Sequence, residues 1–247
     1  MRRTNSYFSV PRDEQRVTTA VYFDLDGTLC TYAVPFADLF EATVSPYGES
    51  SDAAYETYVD RLLEALERCE ADPYREAFGA VATATELDAT PETLAREYRQ
   101  RELEATTAPA AATQTVERVG KTCPTGILTN GNGRQQRAKV ERHGFDESID
   151  EIVVSSDVGA WKPDRRIFDA AIERLPADEY VFVGDDYEAD IVGARDAGLR
   201  TVYVTGDDGP EGNEPAAAAD AVVSNVEELL EPESLPAPVR KPFESSR

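Results

Sequence analysis

Five short apolar runs set the terms on which this chain can fold: AVYFDL (20–25), TGILTN (125–130), EIVVSS (151–156), YVFVGD (180–185) and RTVYVT (200–205). Each is continuous rather than alternating, and rich in Val, Ile, Tyr and Phe. A strand with one wet face alternates, whereas an unbroken run fits a strand covered on both faces, as in a parallel sheet. Helical patterns lie between the runs, at about 132–143, 164–175 and 188–197. Pro163 precedes the second, where a first-turn proline is favoured, and Gly198 closes the third as its C′ glycine. The expected class is α/β, a doubly wound, mostly parallel sheet with ligands at the carboxyl ends of its strands.

Residues 33–106 break the alternation. YETYVDRLLEALERCE and PETLAREYRQRELEA are helical by pattern, and Pro35, Pro46, Pro73 and Pro91 punctuate the segment. The reading is a helical cap, 33–106, inserted into a discontinuous core made of 18–32 and 107–230. Past Gly206, GDDGPEGNEPAAAAD reads as a mobile loop, and DAVVSNVEELLE as an edge strand with a short helix. The ends, 1–17 and the Pro- and Glu-rich 231–247, read as flexible extensions. No apolar stretch approaches the ~20 residues that span a bilayer, so no membrane partner is expected. Arg2 and Arg3 are followed by no apolar signal-like segment. Cys30, Cys69 and Cys123 are odd in number and lack metal-ligand spacing, which fits reduced thiols in a cytoplasmic protein.

The formal charge is −23, with 48 Asp and Glu against 25 Lys and Arg. That sign excludes a nucleic-acid binder that works by neutralising phosphates. The acids are spread along the chain, and only four lysines occur, at 121, 139, 162 and 241. Self-repulsion of this kind weakens a compact state in dilute buffer. At ~1 M salt the Debye length shrinks to ~3 Å and screens most of it. The composition therefore points to a protein adapted to a salt-rich cytoplasm.

The residues able to do chemistry gather at strand ends. Asp24 and Asp26, two apart in VYFDLDGTLC, project the same way from an extended chain. Asp26-Gly27 would also suit a hairpin turn, but no pairing strand follows it. Two such carboxylates repel unless a cation or a shared proton intervenes. A Mg²⁺ site with one nucleophilic Asp satisfies both, the other acid carrying the proton. ILTNG offers the Thr129 hydroxyl and backbone N–H groups at Asn130 and Gly131 to a phosphate, with Thr28 a further candidate. Lys162 in WKPD is a point charge suited to an anionic intermediate. VFVGDDYEAD supplies Asp185, Asp186 and Asp190, hard oxygen donors of the kind Mg²⁺ takes. Asp186 is balanced between contact with that site and capping of the next helix, and Asp190 suits a first helical turn in any case. His143, the single histidine, stands before Gly144 as a helix-end residue. Ser155 and Ser156 could bond near the site or end a strand, and Trp161, Tyr32, Phe36 and Tyr47 could frame a substrate or pack a core.

Taken in order, DLDGT, LTNG, WKPD and GDDYEAD resemble the haloacid dehalogenase-like hydrolase superfamily over about 18–32 and 108–205. The inserted segment is similar to that superfamily's helical cap. The resemblance implies a Rossmann-like core with Asp24 as nucleophile and Asp26 as general acid/base, its backbone carbonyl on the metal. It would put Thr129 on the phosphate, Lys162 beside nucleophile and phosphate, Asp185 on Mg²⁺, and Asp190 behind Lys162 or the metal. The superfamily's dehalogenases attack carbon and usually lack a carboxylate where Asp26 stands. Asp26 therefore favours a phosphatase acting on a small phosphorylated metabolite, of the phosphoglycolate, sugar-phosphate or nucleotide kind. A 2-haloacid dehalogenase, a phosphomutase and a receiver module that retains its phospho-Asp are the alternatives. Length and the helical insertion argue against the receiver.

Overall fold

The computed structural model describes residues 17–206 and 218–244. The 1–16 part of the expected N-terminal extension, most of the expected loop past Gly206, and residues 245–247 lie outside them. The strands are β1 (Thr19–Phe23), β2 (Thr31–Tyr32), β3 (Thr106–Thr107), β4 (Thr125–Thr129), β5 (Glu151–Val154), β6 (Glu179–Gly184), β7 (Arg200–Val204) and β8 (Ala221–Val223). The five apolar runs all become strands, each stopping one or two residues short of its expected end. The first residues left over (Asp24, Asn130, Ser155, Asp185 and Thr205) stand just past the strands at the carboxyl edge, Ser155 as the first residue of a short helix and the others in loops.

Six strands form one parallel sheet in the order β5-β4-β1-β6-β7-β8, which places β1 centrally between β4 and β6. The helices are α1 (Phe36–Val44), α2 (Asp52–Glu67), α3 (Pro73–Ala84), α4 (Pro91–Ala105), α5 (Ala110–Gly120), α6 (Gly133–Arg142), α7 (Ser155–Val158), α8 (Arg165–Arg174), α9 (Gly193–Asp196) and α10 (Ala237–Arg240). Alternate residues of β1 serve the two faces of the sheet. Val21 and Phe23 pack with Val116 and Val119 of α5, while Ala20 and Tyr22 pack with Ile167 and Phe168 of α8. Every residue of β1 is buried, which is why its sequence does not alternate.

Two expectations need correction. The 188–197 pattern is not one regular helix: Tyr187–Val192 is a widened turn, with Ile191 N–H donating to the Asp186 carbonyl five residues back, and only Gly193–Asp196 continues as α9. Such widened turns recur at functional sites. The segment from 231 is not loose as far as it is described. Leu235, Val239 and Phe243 are buried against the Val21 face of the sheet. Three apolar anchors four residues apart do this work, and the Pro and Glu around them mask it at the level of composition.

Helices α1 to α4 have a core of their own, in which Tyr58 lies 4.6 Å from Phe78 and 5.0 Å from Tyr98, ring centre to ring centre. β2 and β3 pair antiparallel, Thr31 with Thr107 and Tyr32 with Thr106, so the chain enters and leaves this cap through one short ribbon. Among the described residues no helix is long and apolar enough to cross a membrane, and all three cysteines are free thiols.

Candidate active site

Asp24 follows the last residue of β1, and its N–H donates to the Val183 carbonyl of β6 at 2.8 Å. Its buried carboxylate meets Lys162 Nζ at 2.6 Å. The same ammonium reaches Asp190 at 2.5 Å and the Leu128 carbonyl at 3.3 Å. Asn130 aims Lys162 by gripping its backbone, accepting from its N–H at 2.8 Å and donating to its carbonyl at 3.2 Å. Burial works against the Lys162 charge, but Asp190 and Asp24 outweigh it and hold the ammonium above its usual range.

Carboxylate oxygens of Asp24, Asp185 and Asp190 all lie within 4.8 Å of one another. Burial pushes the Asp24 carboxyl well up, with Asp190 and Asp185 adding to the rise and Lys162 opposing it. Burial likewise lifts Asp185, to about 6, against the pull of the Thr28 hydroxyl. Three acids around one lysine leave an excess of negative charge that a hard divalent cation would relieve, so the donor set fits Mg²⁺. Asp190 has both oxygens engaged, one by Lys162 and the other by the Asp186 N–H at 3.1 Å. That leaves Asp24 and Asp185 as the freer carboxylates. Gly27, at φ +92°, faces Asp185 so closely that a Cβ there would stand 2.1 Å from its Oδ2. Only glycine meets both demands.

The other named residues are placed by their hydrogen bonds, and Asp186 and His143 take the capping and helix-end positions that the sequence allowed. Thr28 donates to Asp185 at 2.6 Å and so orients a carboxylate. Asp186 is exposed and caps the turn that follows, accepting from Ala189 N–H at 2.8 Å. Gly131 N–H is taken by Ser155 Oγ at 2.9 Å, and Ser156 does the same for Gly133. His143 ends α6 and meets Thr106 Oγ1 at 2.9 Å. Tyr47 bonds Glu97 within the cap, whereas Tyr32, Phe36 and Trp161 line the same cavity as Asp24, Asp26, Thr129 and Lys162.

Asp26 is held by Lys139 and Gln136, which the motif reading passed over, and by Tyr32. Lys139 Nζ lies 3.0 Å from each of its oxygens, Gln136 Nε2 donates at 2.7 Å, and the Tyr32 hydroxyl at 2.9 Å. Gln136 also donates to Thr129 Oγ1 at 2.9 Å, linking the two motifs. Burial alone would raise the Asp26 carboxyl, but Lys139 and Gln136 bring it below the usual carboxylate range. Glu102 of the cap closes the cluster, 3.2 Å from Lys139 and accepting from Tyr74 at 2.8 Å. Two signals were available in the sequence. Lys139 is one of only four lysines, and GRQQRAKVER has almost no apolar stripe yet must pack on a sheet.

A haloacid dehalogenase-like hydrolase model matches residues 18–198. The chain belongs to that family. Among its relatives, a phosphoserine phosphatase of Thermus thermophilus is 31% identical over 210 residues, 79% of this chain and 81% of that one. Pyrimidine 5′-nucleotidase YjjG of Escherichia coli is 36% identical over 110 residues, 42% of this chain and only about half (48%) of its own length. A crystal structure of a 2-haloacid dehalogenase from Pseudomonas syringae superposes with a TM-score of 0.66 at 26% identity, covering 87% of this chain and 97% of that one. The haloacid dehalogenase-like fold thus carries both phosphorus and carbon chemistry among its relatives, and the choice falls to the side chains of the site.

Proposed function

We propose that this hydrolase is a Mg²⁺-dependent phosphatase acting on a small phosphate monoester. The observation that carries the reading is Asp26, a carboxylate sharing one cavity with Asp24, Thr129, Lys162 and Asp185. An attack on carbon by Asp24 requires no acid at that place, whereas expulsion of an alkoxide from phosphorus does.

In this proposal an Asp24 oxygen attacks phosphorus and the ester P–O bond breaks; Asp26, held ionised by Lys139 and Gln136 before substrate arrives, takes up a proton with the substrate and passes it to the departing alkoxide. Asp26 then takes a proton from the water that attacks the aspartyl-phosphate, which frees Asp24 and inorganic phosphate. Thr129 and Lys162 hold phosphoryl oxygens. Asp24, Asp185 and the Asp26 carbonyl would hold Mg²⁺, which when bound offsets negative charge on the phosphoryl group. The core of 18–32 and 107–230 supplies the chemistry and the 33–106 cap the walls around the leaving group. The −23 charge supports a setting in a salt-rich cytoplasm.

The test is phosphate release by the purified chain in Mg²⁺ and high KCl. Asp24→Asn should lower turnover by about 10³-fold or more, and Asp26→Asn by ~10²–10⁴-fold. Full activity in either variant, or halide release from a 2-haloacid, overturns the reading. A stable phosphoprotein without phosphate release would instead mark a receiver, and a phosphorylated product a mutase.

A further inference from the structure

Helix α2 has a broad apolar face that serves both the cap and the cavity. Ala54, Tyr58 and Ala65 are buried in the cap's own core, against which Tyr55, Val59 and Leu62 also pack. Tyr55, Tyr58, Val59, Leu62, Leu63 and Leu66 line the cavity that runs down to Asp24. The spacing 55, 59, 62, 66 is one helical face, and the cavity runs along it. The same cavity is lined by Tyr32 and Phe36, with ring centres 4.6 Å apart, and by Trp161 from the core. The cavity measures about 650 Å³, room for more than a phosphate.

Charge in this chamber is one-sided. Among the described residues that line it, no arginine occurs, and its two lysines are tied to carboxylates. A second anionic group on the substrate would meet apolar walls and Glu102, and a buried unpaired charge is costly. Flat rings, by contrast, stack well on aromatic side chains.

Building on the phosphatase reading, we infer that the cap selects phosphate monoesters whose alcohol portion is uncharged and carries an unsaturated ring. Nucleoside monophosphates and aryl phosphates belong to this class. Phosphoserine, phosphoglycolate and sugar bisphosphates do not, since each carries a further charge into the chamber.

Two measurements separate this inference from the reading beneath it. Trp161, the single tryptophan of the chain, reports directly on the chamber in the Asp24→Asn variant, where binding is seen without turnover. Its fluorescence should respond saturably to uridine 5′-monophosphate and to phenyl phosphate, and at least about tenfold more weakly, by concentration, to O-phosphoserine. In the active enzyme kcat/KM should favour the first two over O-phosphoserine and ribulose 1,5-bisphosphate by a similar factor. Leu63 is 49% exposed and can carry a charge, so Leu63→Arg should narrow that ratio while Leu63→Ala preserves its order. Preferential binding or turnover of the charged esters overturns the inference and leaves the phosphatase reading standing. Saturable ring binding with no phosphate released from any ester does the reverse.

Discussion

Lys139 and Asp26 form a two-pronged ion pair, the ammonium 3.0 Å from each carboxylate oxygen, and the lysine is almost wholly buried. Because Glu102 of α4 shares that ammonium at 3.2 Å, a single core lysine bridges an acid of the sheet edge and an acid of the cap.

Removing it leaves two carboxylates facing each other without a cation. Lys139→Met should therefore destabilise the protein by roughly 3–5 kcal/mol, the cost of breaking a buried pair from one side. Adding Glu102→Gln should recover part of the loss, a coupling visible in a double-mutant cycle of urea unfolding. Turnover should fall in Lys139→Met with KM little changed, since Asp26 loses its aim. Equal stability of single and double variants would show that the two acids do not share the lysine.

Metal binding should be readable without any substrate. If Asp24 and Asp185 take Mg²⁺, the ion binds only the folded chain and raises the thermal midpoint with concentration. At a hundred times Kd the gain is about 2.7 kcal/mol. Asp185→Asn should erase the shift, and EDTA should silence wild-type turnover until Mg²⁺ is restored. Identical melting of wild type and Asp185→Asn across a Mg²⁺ titration would contradict the assignment.

The C-terminal segment should behave as core. Phe243 is fully buried on the Val21 face of the sheet, so Phe243→Ala should cost about 3–5 kcal/mol. Ending the chain at Glu231 should cost at least as much. A truncated protein with an unchanged unfolding midpoint would remove the segment from the fold's essential parts.

Salt should stabilise. With 48 acids against 25 bases, unfolding free energy should rise from dilute buffer to molar KCl as repulsion is screened over ~3 Å. Replacing KCl with an isosmotic sugar should not reproduce the full gain. A flat profile would assign the acidic surface another purpose.

The sheet was legible because burial on both faces writes itself as unbroken apolar runs, and the positions of Asp24 and Asp185 were legible because they stand where those runs stop, whereas Lys162 stood out by its rarity and its place just before a helix. Gln136 and Lys139 were harder to find, since polar residues on a helix usually face water and the signals for α6 turning inward, a rare lysine and a missing apolar stripe, name no partner. The bond of Thr28 to Asp185 was not legible either, since that partner is 157 positions away and arrives through the β1–β6 pairing. The tail was misread because its three anchors sit among residues that signal looseness.

Helix α2 meets two demands, and only some of its residues serve one alone. Tyr58, Val59 and Leu62 both pack the cap and line the cavity, while Leu63 and Leu66 line the cavity without joining the cap's core cluster. A library randomised at those last two positions would sample new specificities while leaving the reactive carboxylates, which come from the sheet, and the cap's own packing largely undisturbed. Reaction chemistry and the shape of the substrate's far end are thereby set by different parts of the chain.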